Sequence, residues 1–162
     1  VNYITKTLLN ESLNENFDNL HKLGVKIVIR GSIEKLDNSL KRKIIDAQKK
    51  TLNNKSISLV IAFDYGGRNE IVNTVKEIVK DDIKFNEINE ELFNKYINKD
   101  EIPDPDLIIR TGGEYRLSNF LIWQSAYSEF YTSEVLWPDF TMSDFFDALK
   151  SYSLRSRRFG TN

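Results

Sequence analysis

The chain has 162 residues, with 23 basic and 24 acidic side chains for a formal net charge of −1, one histidine and no cysteine. That length suits one domain able to bury about two-thirds of its unfolded surface. The balanced charge gives no electrostatic footprint for nucleic acid, the lack of cysteine excludes disulfides and thiolate metal sites, and no apolar run approaches the length of a membrane span, so a cytoplasmic globular protein is the expectation.

Ile4, Leu8, Leu9, Leu13, Phe17 and Leu20 recur at helical spacing and predict one amphipathic helix ending near Gly24. Residue 1 is Val, and the first residues already read as the middle of a helix, so the expectation is a fragment, a processed product or the ordered part of something longer. His21 has no catalytic partner beside it in sequence and reads as a structural or surface residue. The β-branched run Val25 to Arg30 predicts a strand, stopped by Gly31-Ser32. Leu36 to Leu52 predicts a helix with Leu40, Ile44, Ile45, Ala47 and Leu52 inward, broken by Asn53-Asn54. Ile57 to Phe63 predicts a second buried strand. Asp64-Tyr-Gly-Gly-Arg68 then opens a helix running to about Val79. Its glycines serve either a tight strand-to-helix turn or a second ligand loop, and the residues leave both readings open. Ile88 to Ile97 predicts a short helix, and Pro103 and Pro105 stiffen the connection into a third strand, Leu107 to Ile109. Phe120 to Tyr127 predicts a helix, Phe130 to Trp137 an extended segment, and Ser143 to about Leu154 a last helix before the basic Arg155-Ser-Arg-Arg158. Strands alternating with helices argue for an α/β fold: a mostly parallel sheet with helices on both faces.

The chemistry concentrates in Asp106-Leu-Ile-Ile-Arg-Thr-Gly-Gly-Glu-Tyr-Arg-Leu-Ser-Asn119. An apolar strand ends in Arg110, two glycines allow a sharp turn, and Arg116 and Ser118 precede a predicted helix start. Open α/β sheets place ligands at the carboxyl ends of their strands, a helix start favours phosphate, and guanidiniums pair with phosphate oxygens. The competing reading is that the two arginines are solvated or paired with Glu114 or Glu129. For Glu129 itself, the plain reading is an ion pair with a neighbouring arginine. Phe120, Trp123, Tyr127 and Phe130 sit at helical or strand spacing and are expected to pack in the core.

Arg110-Thr-Gly-Gly-Glu-Tyr-Arg-Leu-Ser-Asn-Phe120 closely resembles the signature of the cis-prenyltransferases, the undecaprenyl diphosphate synthase family. The resemblance continues through Asp64 to Ile71, Pro103 to Asp106, Trp123-Gln124, Glu129 to Tyr131, Val135 to Phe140 and the ending Arg157-Arg-Phe-Gly160, and is weakest over residues 1–23. It implies that Arg110, Arg116, Ser118 and the backbone at Leu117 hold the diphosphate of isopentenyl diphosphate, and that Glu129 is a ligand of Mg²⁺. Glu114 would orient the arginines, and many members carry Asn at the position of Asp64. It further implies condensation of isopentenyl diphosphate onto an allylic diphosphate, such as farnesyl diphosphate, to give a polyprenyl diphosphate lipid carrier. A homodimer is implied, with Arg158-Phe159-Gly160 near its interface. Loose membrane contact through the lipid product is compatible with this reading.

The family's N-terminal Asp-Gly-Asn loop, which carries its catalytic Asp and holds the allylic diphosphate, has no match here. The expectation is therefore a single domain over residues 1–162, the C-terminal portion of a catalytic domain. It lacks the family's first strands and its catalytic Asp, and is inactive alone. Two other readings stand beside it: a non-catalytic partner subunit of a cis-prenyltransferase, and a general phosphate-binding α/β module.

Overall fold

The computed structural model describes residues 17–155. Residues 17–22 are helical; the rest of the predicted first helix and Arg158-Phe159-Gly160 lie outside the described residues. The chain divides into two compact units, Val1–Gly66 and Gly67–Asn162. No described helix is long and apolar enough to cross a membrane.

In the first unit β1 (Val25–Gly31) is followed by α1 (Asn38–Thr51) and β2 (Ile57–Phe63). The strands pair in parallel, from Val25 opposite Ile57 to Gly31 opposite Phe63. Asp37 starts α1 by accepting the Leu40 N–H at 3.0 Å, which relieves one of the helix's orphan donors. Leu40, Ile44, Ala47 and Thr51 fall on one helical stripe and are buried, and α1 packs on β1, whose Val25, Ile27 and Val28 are also buried. Ile45 and Leu52, expected to point inward, are 40% and 62% exposed, because the buried stripe passes through Leu40, Ile44 and Ala47 instead.

The edge of β1 away from β2 is satisfied by side chains. Thr51 Oγ1 accepts the Ile27 N–H at 3.0 Å, Gln48 Oε1 accepts the Ile29 N–H at 3.1 Å, and Asn54 Nδ2 donates to the Val25 carbonyl at 2.8 Å. Covering an edge in this way prevents it from templating a further strand. Asn54 Nδ2 also reaches His21 Nδ1 at 3.1 Å, so His21 belongs to this structural corner. Asp64, in a left-handed conformation at φ 43°, pairs with Lys35 at 2.8 Å.

The second unit holds α2 (Gly67–Lys80), α3 (Glu90–Ile97), β3 (Leu107–Thr111), β4 (Glu129–Ser133) and α4 (Met142–Ser153). α2 packs with α3, and α4 with β4. Asn89 caps α3 through the Leu92 N–H at 2.9 Å. Thr141 and Asp144 cap α4 reciprocally. β3 and β4 are parallel, from Leu107 opposite Glu129 to Thr111 opposite Ser133. The α/β reading with parallel strands and helices holds, and the described strands form two parallel pairs.

One predicted element is absent. Residues 120–127 form a succession of turns rather than a helix. Leu121 is left-handed at φ 43°, which breaks the helical ladder. Only the Ser125 N–H to Leu121 carbonyl bond, at 2.9 Å, has α-helical spacing, while the Phe120, Ala126 and Ser128 N–H groups make tighter three-residue turns. Tertiary anchors account for this. Trp123 Nε1 donates to Asn94 Oδ1 at 2.6 Å, its ring packs on Phe93 with centroids 4.4 Å apart, and Gln124 Nε2 donates to Glu70 Oε2 at 2.9 Å. Bonds to two separate helices hold this stretch in its turns.

Candidate functional site: an arginine cradle at the end of β3

β3 carries Arg110 to the carboxyl end of the strand pair, and the chain then turns through Gly112 and Gly113 at φ 87° and 73°. The left-handed backbone at Gly113 favours glycine there, while a Cβ would meet only the movable carboxylate of Glu134, at 2.5 Å. The N–H groups of Gly112 and Gly113 donate to the carbonyls of Val135 and Ser133, each at 2.9 Å. The glycine turn is thus fastened to the end of β4, and its amides are spent on that contact.

Beyond the turn the loop folds back over Arg110. Arg110 Nη1 donates to the Arg116 carbonyl and, at 3.1 Å, to Ser118 Oγ. Arg116 pairs with Glu114 through a charge-assisted bond. The residues expected to hold an anion are therefore gathered into one place, and the pairing of an arginine with Glu114, the competing expectation, is also present, at Arg116. Ser118, Asn119 and Leu121 are left-handed at φ 47°, 65° and 43°. For a non-glycine residue this conformation costs about 1–2 kcal/mol each, and such strain collects at functional sites. With 120–127 in turns, the predicted helix start after the loop is absent, and the polar groups gathered here are the side chains of Arg110 and Ser118 and the Arg116 carbonyl.

The cradle borders a cavity of about 690 Å³ lined by Arg110, Arg116, Leu117 and Ser118 together with Ile108, Phe120, Phe130 and Thr132. Register accounts for part of the lining, to which Ile109 and Thr111 of the other face also contribute. Ile108 lies opposite Phe130 and Arg110 opposite Thr132, and alternate residues of a strand share a face. Phe120 and Phe130, expected in the core, are 39% and 43% exposed and line this cavity. The left-handed turn at 118–121 and the strand register bring them there. Tyr127 is also largely exposed, whereas Trp123 packs as expected. The alternation of side chains along β4 was the signal in the sequence that could have placed Phe130 with Arg110.

The same alternation puts Glu129 on the opposite face of the pair from Arg110. Glu129 accepts from Arg155 Nη1 at 2.6 Å and is half-buried, which matches the ion pair read from its residue type. Among the described residues, no three acidic or histidine side chains gather where they could hold a metal. One carboxylate fits a magnesium ion that keeps its waters and arrives with a phosphorylated ligand, and does not fit a closed protein cage.

The Asp64–Arg68 motif is now partly assigned. The Gly67 N–H donates to the Asn119 carbonyl at 2.7 Å, and the Arg68 N–H donates to Asn119 Oδ1 at 2.9 Å. A Cβ at Gly67 would come within 3.0 Å of the Ile122 nitrogen. Gly67 therefore serves close packing, and the first amides of α2 are committed to the cradle loop.

Comparison with known proteins agrees with this arrangement. The profile of the family described as "Putative undecaprenyl diphosphate synthase" matches residues 1–160. The chain is 44% identical to the isoprenyl transferase of Clostridium perfringens, covering 99% of this chain and 64% of that protein. It is 47% identical to the isoprenyl transferase of Thermotoga maritima, covering 93% of this chain and 65% of that protein. It thus spans less than two-thirds of the length of these curated relatives. Among solved structures, lavandulyl diphosphate synthase from Lavandula x intermedia, in complex with dimethylallyl diphosphate, superposes with a TM-score of 0.87 at 31% identity over 94% of this chain and 68% of that one. A probable undecaprenyl diphosphate synthase from Campylobacter jejuni gives 0.82 at 32% identity over 95% of this chain and 72% of that one. With the signature loop folded into an arginine cradle and the family profile matched along nearly its whole length, the chain belongs to the cis-prenyltransferase, or undecaprenyl diphosphate synthase, family.

Proposed function

We propose that this chain carries the isopentenyl diphosphate half of a cis-prenyltransferase active site. In the complete enzyme it would extend an allylic diphosphate, such as farnesyl diphosphate, by cis five-carbon units to a polyprenyl diphosphate lipid carrier. The observation that carries this reading is a cavity lined both by Arg110, Arg116 and Ser118 and by the apolar Ile108, Phe120 and Phe130. Such a site suits an amphiphile with an anionic head and a short hydrocarbon body. Arg110 and Arg116 would bind the diphosphate oxygens in paired, charge-assisted bonds, with the Ser118 hydroxyl and the Leu117 backbone completing the set. Glu114 would hold Arg116 until the diphosphate takes its place.

In the reaction, the C–O bond of the allylic diphosphate breaks, the double bond of isopentenyl diphosphate attacks that carbon, and a proton is lost to form the new cis double bond. This chain's residues would orient the isopentenyl group and exclude water from it. Glu129 is proposed as a ligand of Mg²⁺, which when bound supplies positive charge to the departing diphosphate. Because Glu129 faces away from the cradle of its own chain, that role requires Arg155 to release it and the rest of the metal site to come from elsewhere. A homodimer and peripheral membrane contact through the product belong to the same proposal.

A general phosphate module does not need the apolar side of the cavity, and a purely supporting subunit does not need the cradle. The test is prenyl transfer from farnesyl diphosphate with labelled isopentenyl diphosphate and Mg²⁺, alongside calorimetric binding of isopentenyl diphosphate and inorganic phosphate. Preferential binding of isopentenyl diphosphate supports the proposal. Equal binding of both ligands would favour the phosphate module.

A further inference from the structure

Asn119 joins two parts of the second unit that are far apart in sequence. Its carbonyl accepts the Gly67 N–H at 2.7 Å and its side-chain Oδ1 accepts the Arg68 N–H at 2.9 Å. One residue of the cradle loop therefore satisfies two of the orphan donors at the start of α2. A further bond follows within one turn on each side, from Gln124 Nε2 to Glu70 Oε2 at 2.9 Å. Gln124 is only 2% exposed and Glu70 is half-buried, so this second tie is partly withdrawn from water. Gly67 meets Ile122 so closely that a side chain there would have to displace it. α2 is thus gripped by the segment 119–124.

The grip matters to the cradle because of where Asn119 lies. Ser118 precedes it, and both are left-handed, at φ 47° and 65°. Asparagine tolerates that conformation better than most residues, but serine does not hold it unaided. The Ser118 hydroxyl reaches Arg110 at 3.1 Å only while the loop keeps this shape. We infer that Asn119 is a positioning residue for the anion cradle: by capping α2 it holds the turn from which Ser118 meets Arg110. This rests on the proposed binding role of the cradle, while the clasp itself is independent of any ligand.

Asn119→Gly keeps the left-handed backbone and its carbonyl acceptor and removes only the side-chain cap. If Asn119 only satisfied the Arg68 N–H, an exposed helix-start donor that water can also reach, the loss would stay within the first turn of α2. Asn119→Asp retains an oxygen that can accept the Arg68 N–H. The experiment is amide hydrogen exchange on both variants and the parent, with calorimetric titration of isopentenyl diphosphate into Asn119→Gly and the parent. The expected result for Asn119→Gly is faster exchange over both 66–70 and 114–120, with affinity about three- to tenfold weaker and an unchanged Tm. An affinity loss of that size corresponds to about 0.7–1.4 kcal/mol. Asn119→Asp should exchange like the parent. Faster exchange confined to 66–70, or unchanged exchange at 114–120 in Asn119→Gly, would overturn the inference. Failure of the parent itself to bind isopentenyl diphosphate would instead defeat the functional proposal, leaving the exchange data to decide the clasp.

Discussion

Replacing Arg116 by alanine should separate ligand binding from folding. Its guanidinium is more than half exposed and its partner in the structure is Glu114, also half exposed. An exposed pair of this kind contributes at most about 1 kcal/mol to stability, which for a chain of this size shifts Tm by no more than about 4 °C. Binding is a different matter. A hydrogen bond to a charged group is worth about 1.5–3 kcal/mol, from which the parent must give up the Glu114 pairing, typically about 0.5 kcal/mol for an exposed pair, leaving about 1–2.5 kcal/mol. That is roughly a 5- to 60-fold rise in Kd for isopentenyl diphosphate. Alanine also leaves the Glu114 carboxylate uncompensated beside the incoming diphosphate, which acts in the same direction. The assay is calorimetric titration at low and high salt, with Tm measured in parallel. Screening should narrow the difference as salt rises. Equal Kd values for mutant and parent at low salt would refute the reasoning, and so would a large fall in Tm, since that would make Arg116 a folding residue.

Arg110→Lys should weaken the same ligand by about tenfold, because lysine cannot reproduce a fork that holds the Arg116 carbonyl, Ser118 and a phosphate oxygen together; an unchanged Kd would deny Arg110 that role. Thr51→Val should lower urea stability by about 1–3 kcal/mol. The shape is kept, but the Ile27 N–H loses its acceptor at a site with no solvent exposure, so a neutral result would mean that water or another group replaces the threonine. Hydrogen bonds from the Thr141 hydroxyl and then the Thr141 N–H hold the Asp144 carboxyl below its ordinary pKa. A lowered folded-state pKa gives stability that is present above the unfolded value and is lost as pH falls through the folded one. The α4 cap should therefore weaken below about pH 4, and in acid titrations followed by hydrogen exchange of α4, Asp144→Asn should remove that component.

Much of the fold was legible because local chemistry and tertiary packing agree. Asp37 is an N-cap residue and stands where α1 begins. The apolar run Ile57 to Phe63 forms β2 with the predicted bounds, but it is not buried as expected: its residues are exposed or half-buried, with Ile57 64% exposed. The signature loop supplied Arg110, Arg116, Leu117 and Ser118, and they line one cavity. Residues 120–127 misled because their apolar spacing is helical, while bonds from Trp123 and Gln124 to distant helices favour turns. Phe120 and Phe130 were misplaced for a related reason: an aromatic side chain has the same spacing whether it packs inward or lines a cavity.

The sequence by itself determined the family, the parallel α/β pattern and the group of loop residues that line one cavity, since these follow from motif order, period and residue chemistry. Only the tertiary structure decided how those residues meet. It showed that Arg110 holds Ser118 and the Arg116 carbonyl, that the glycine amides are tied to β4, and that Asn119 binds the cradle loop to the start of α2. It also put Glu129 on the far face, paired with Arg155. The physical reason is that residue type limits which bonds a group can make, whereas the choice among those bonds depends on strand register and on backbone conformations set by contacts tens of residues away.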